Sequence, residues 1–75
     1  MAIQQKDDIS PYDGIAQLHK LADAGDAEAL YTLEMRYSKG DGVMRDAVIG
    51  SRLLYLASQR GHAEAERILD RWWGD

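Results

Sequence analysis

His19 and Asp23 lie four residues apart, and so do His62 and Glu66. On a helix this spacing puts each histidine and its carboxylate on one face, where they could hold a metal ion or relay a proton. Two ligands do not close a metal site, since even a catalytic zinc takes three protein ligands and a water. The chain has no cysteine and two histidines, so thiolate chemistry is excluded and few nucleophile–base pairs can be assembled. The stretch SKGDGVMRD, residues 38–46, mixes glycines with acids. It lacks the G-x-x-x-x-G-K-[ST] spacing of a phosphate loop and the acid spacing of a calcium loop. The expectation is a protein that is not an enzyme, with no catalytic residues, no metal and no cofactor.

Composition narrows the classes further. Nine Lys and Arg stand against thirteen Asp and Glu, a net charge of −4. Binding to a phosphate backbone needs massed cations, so no nucleic-acid partner is expected. The N-terminus, MAIQQKDDIS, has no apolar run flanked by basic residues, and no apolar stretch is long enough to cross a bilayer. The reading is a cytoplasmic protein with no membrane partner. At 75 residues the chain is one small domain, whose core supplies about 3–5 kcal/mol of net stability. Disulfides cannot add to that, which leaves association with a partner as the remaining help.

Glycines punctuate the helices that must position any site. Ser10 and Pro11 read as a helix start, serine as N-cap and proline at the first position. Ile15, Leu18, Leu21 and Ala22 then recur at helical spacing up to Gly25. Asp26 caps a second helix with the stripe Ala29, Leu30, Leu33 and Tyr37, and Lys39-Gly40-Asp41-Gly42 ends it. A third helix runs from Asp46 to Arg60 and stops at Gly61. His62 caps a fourth, which carries Ala65, Ile68, Leu69, Trp72 and Trp73. No segment alternates with the period of a strand. The fold class is all-α, four short antiparallel helices over residues 10–75, with residues 1–9 as an N-terminal arm.

Two strings repeat. AGDAEALYTL begins at Ala24 and RGHAEAERIL at Arg60, 36 residues later. The same shift pairs Ser10 with Asp46, Gly14 with Gly50, Leu18 with Leu54, Gly25 with Gly61 and Leu33 with Leu69. A fixed period of this size marks stacked helical hairpins. Ala27, Glu28, Ala29, Leu33, Tyr37, Gly40, Gly42, Val43, Asp46, Ala57, Gly61, His62, Ala63, Glu64 and Ala65 together resemble the Sel-one-like repeats, relatives of the tetratricopeptide repeats. The match spans one full repeat, residues 27–62, with half-repeats at 10–26 and 63–73. The resemblance implies an α/α superhelix, or solenoid, that holds other proteins. In that pattern Gly40 and Gly42 shape a tight loop, Val43 plugs the open end of the hairpin, and Asp46 caps the returning helix.

Departures from the pattern supply the candidate site. Glu34 stands where the family has glycine. A carboxylate there must find solvent or a basic partner such as Arg52, unless the helices splay. Ile49 and Leu56 replace usually polar residues and join Leu53 in a stripe, while Ala47, Gly50, Leu54 and Ala57 form another. A helix apolar on most of its surface is buried from two sides. Either the N-terminal arm, with Ile3 and Ile9, folds over the first stripe, or another chain does, including a second copy. Trp72 falls one period after Arg36, where a terminal helix should be polar. It is a candidate anchor, tryptophan being enriched in binding hot spots, with core packing the alternative. Trp72, Ile49, Leu53, Leu56 and Glu34 are therefore the candidate partner-binding residues. The expected function is a small binder or inhibitor, of the immunity or phage anti-defence kind, that docks on one protein partner. The alternative is a self-associating unit, such as a homodimer, that completes a solenoid.

Overall fold

The computed structural model describes residues 14–73, with the side chain of Trp73 left aside. Among these residues four helices follow one another: α1 (Ile15–Asp23), α2 (Ala27–Lys39), α3 (Ala47–Gln59) and α4 (Ala63–Trp73). The protein is all-α, and no strand occurs among the described residues. No described helix is long and apolar enough to cross a membrane. Each helix packs on the next, α1 on α2, α2 on α3 and α3 on α4. The expected N-terminal arm, residues 1–9, lies outside the described residues, and so do Ser10 and Pro11.

The repeated strings turn out to be one turn built twice. After α1, Gly25 N–H donates to Ala22 O (2.9 Å) and Asp26 N–H to Leu21 O (3.0 Å). After α3, Gly61 N–H donates to Ser58 O (3.0 Å) and His62 N–H to Ala57 O (3.1 Å). These bonds satisfy the last carbonyls of each helix in the Schellman arrangement. They require a left-handed residue at its centre, and the glycines supply it with φ of 89° and 84°. The next residue then caps the following helix: Asp26 Oδ1 accepts from Ala29 N–H at 3.0 Å, and His62 Nδ1 from Ala65 N–H at 3.2 Å. One residue thus closes one helix and opens another, so the turn needs no spacer. Asp46 likewise caps α3, accepting from Ile49 N–H at 3.0 Å, and its own N–H donates to Tyr37 O (3.0 Å) to tie the longer α2–α3 loop shut.

Burial follows the same period. Leu18, Ala29 and Leu33 form one core cluster; Leu30, Leu54, Ala57 and Ala65 form another. Leu18 and Leu54, 36 residues apart, are both fully buried, as are Ala29 and Ala65. Ala22 and Leu53 pack against both clusters and join them. Each fully buried leucine contributes about 1.5–3 kcal/mol relative to an exposed one.

One expected start needs correction. Gly14 is the N-cap of α1, extended at φ −91° and ψ 136° with no side-chain cap. Leu18 N–H donates to Gly14 O (2.9 Å) as the first bond of the helix. A helix running unbroken from Pro11 would need Gly14 in helical geometry, so α1 begins a full turn later than Ser10 and Pro11 suggest. A second correction concerns Ala47, which is exposed at the head of α3 rather than buried with Gly50, Leu54 and Ala57.

Candidate interaction surface

The five candidate residues separate into three environments. Glu34 is buried and therefore not part of a surface. Among the described residues no ion pair joins it to Arg52; Ser38, one turn on along α2, donates its hydroxyl to Glu34 Oε2 at 2.8 Å. The helices do not splay to accommodate it. Gly50 of α3 lies so close that a β-carbon there would sit 3.1 Å from Ser38 Oγ and 3.7 Å from the Glu34 carbonyl. Leu53 is half-buried against both core clusters and serves to join them.

Ile49 and Leu56 are each 39% exposed at the edge of α3. Trp72 is 54% exposed. It lies seven residues after buried Ala65 and four after Ile68, so by helical spacing it continues the inward stripe of α4 rather than the polar face. Ile49 and Leu56 thus share one face, while Trp72 sits on a different helix.

Two residues absent from that set complete the apolar face. Val48 is 79% exposed and Tyr55 is 52% exposed. With Ile49 and Leu56 they occupy the positions three and four residues to either side of Arg52, which on a helix are its nearest neighbours. An arginine therefore sits at the centre of four exposed apolar side chains. The signal was present in the spacing, because Val48 and Tyr55 lie opposite Gly50 and Leu54 on the helix.

The histidines hold structure together. Since His62 Nδ1 accepts the Ala65 N–H, its proton is on Nε2, which donates to Glu28 Oε1 at 2.9 Å. The imidazole also stacks on Tyr31, ring centroids 4.3 Å apart and 23° from parallel. One ring so caps α4 and clamps it to α2. Burial, then the nearby Glu64, Glu34 and Glu28 carboxylates, hold the Tyr31 phenol above the ordinary tyrosine pKa. Arg67, hydrogen-bonded to Glu64, lowers the pKa of that carboxyl. His19 meets Tyr37 edge-on and hydrogen-bonds its hydroxyl at 3.3 Å. No side-chain hydrogen bond joins His19 to Asp23 or His62 to Glu66 among the described residues, which also hold no cluster of three or more metal-ligating side chains.

The dual role of His62 makes a stability prediction. His62→Asn keeps a capping oxygen and loses the clamp, while His62→Ala loses both. Urea unfolding should find the alanine variant less stable than the asparagine variant by about 1 kcal/mol, the worth of an N-cap. Equal stabilities would show that the Ala65 contact contributes nothing.

No family model, curated protein or solved structure matches this chain.

Proposed function

We propose that this chain is a non-catalytic protein-interaction module, a small binder or inhibitor that docks on one protein partner in the cytoplasm. The observation that carries the reading is the exposed apolar quartet Val48, Ile49, Tyr55 and Leu56 on a single helix. Exposed apolar side chains gathered on one face, rather than scattered, are what interaction sites present. The twice-built turn and the matched burial at a 36-residue period favour an α/α superhelix of the Sel-one-like kind as its architecture, and such repeats present helical faces to other proteins. Trp72 offers a second anchor at the end of α4.

Self-association is the competing reading, because the same quartet could meet a second copy. Sedimentation equilibrium at micromolar concentration separates the two: a monomer supports docking on a foreign partner, and a tight dimer dissolved by Leu56→Glu supports self-association. Immobilised wild-type protein should retain a specific protein from an extract of its native cells. Ile49→Ser/Leu56→Ser should lose it, with helicity retained by circular dichroism, and Trp72→Ala should weaken it. Capture unchanged by the double substitution would remove the α3 face from the site.

A further inference from the structure

We infer that the exposed side of α3 receives an acidic amphipathic helix of the partner protein; this rests on the interaction-module reading and specifies the chemistry of what the module holds. The chain carries thirteen acids, yet α3, AVIGSRLLYLASQ, contains none and bears Arg52 as its one charge. Val48, Ile49, Tyr55 and Leu56, all exposed, hold the helical positions three and four residues to either side of Arg52. Arg45 stands immediately before the N-cap, and Arg60, at the C-cap, lays its guanidinium against Gly25 of the α1–α2 turn. Two arginines elsewhere find carboxylates: Arg36 lies 3.9 Å from Asp41, and Arg67 pairs with Glu64. Among the described residues no carboxylate comes within ion-pair distance of Arg45, Arg52 or Arg60.

Covering the apolar quartet would take Arg52 out of water. A charge buried without a counter-ion is strongly disfavoured, so the covering surface must bring a carboxylate to the centre and apolar groups around it. An amphipathic helix with an acid flanked at three and four residues by leucine-type side chains has that layout. A basic or neutral segment fails at Arg52. A phosphate backbone offers no apolar side chains to the quartet, and an anionic bilayer is held by clusters of cations, where this face has Arg52 alone. A second copy is poorly suited, since α4, with Glu64, Glu66 and Asp70, turns its apolar stripe inward onto α3.

The test uses the full chain and a fluorescent, helix-stapled peptide in which one glutamate is flanked by leucines at those positions. Controls replace the glutamate with lysine or the leucines with serine. Fluorescence anisotropy should show saturable binding of the acidic amphipathic peptide at least about tenfold tighter than either control, weakening as salt rises. Arg52→Glu should reverse the preference and bind the lysine peptide better, a gain that misfolding cannot produce. Equal binding of glutamate and lysine peptides would overturn the inference while leaving an apolar docking face. Binding of no peptide at high micromolar concentration, binding to phosphatidylserine vesicles instead, or an Arg52-dependent dimer in sedimentation would also overturn it. The capture experiment with Ile49→Ser/Leu56→Ser judges the broader module reading separately.

Discussion

Leu54→Ala is expected to leave the chain largely unfolded at room temperature. Leu54 is fully buried and belongs to the cluster that brings Leu30 of α2, Ala57 of α3 and Ala65 of α4 together. Truncating a buried leucine costs about 2.7–5 kcal/mol, because the lost transfer energy is joined by the cost of an unfilled cavity. A domain this small has about 3–5 kcal/mol to lose. Its neighbours come from three helices, Leu30 and Tyr31 from α2, Leu53 and Ala57 from α3, Ala65, Ile68 and Leu69 from α4, so the loss is felt across the whole cluster. Leu56→Ala, two residues on along the same helix, removes a side chain that is already partly in water. It should shift the urea midpoint far less. Far-UV circular dichroism and urea titration of the two variants give the comparison. A Leu54→Ala protein with an unchanged midpoint would mean that the two clusters do not form the core.

The contrast between these two leucines also shows which features the sequence could reveal. The turns at Gly25–Asp26 and Gly61–His62 were readable because each is a local device: a glycine that tolerates positive φ, then a residue with an acceptor for the next helix. The start of α1 was not readable, because Ser10 and Gly14 are both acceptable caps one turn apart and local chemistry does not choose between them. Glu34 was recognised as a residue that needs solvent, a basic partner such as Arg52, or splayed helices, and a hydroxyl on its own helix was not among these. Ser38, on the same helix face four residues away, satisfies it with less chain to order. On α3, apolar spacing alone suggested two stripes. Only the packing showed that Leu53 joins the clusters while Ile49 and Leu56 remain at the surface with Val48 and Tyr55. Sequence shows that a helix has too many apolar faces; its neighbours decide which one is left over.

Gly50→Val should separate α2 from α3 and cost about 1–3 kcal/mol, the range for overpacking a fitted interface. Even the first added carbon would lie 3.1 Å from Ser38 Oγ, with the Glu34 carbonyl and the Ser38 amide at 3.7 and 3.8 Å. Two further methyls, held by the stiff χ1 of a β-branched residue, add volume at a contact that the first carbon already fills. Alanine is a closer contest. It gains about 1 kcal/mol of helix propensity over glycine but displaces the hydroxyl that satisfies buried Glu34. The Sel-one-like repeat pattern proposed for this chain has its small residue at position 34, on α2. Here Glu34 occupies that place and the small residue is Gly50, on the facing helix. If the two positions compensate, Glu34→Gly frees Ser38 to turn away, and Gly50→Ala becomes more favourable in that background than alone. A double-mutant cycle by urea unfolding should therefore give a coupling of about 0.5 kcal/mol or more. Additive effects would show that Gly50 is small for a reason unrelated to Glu34.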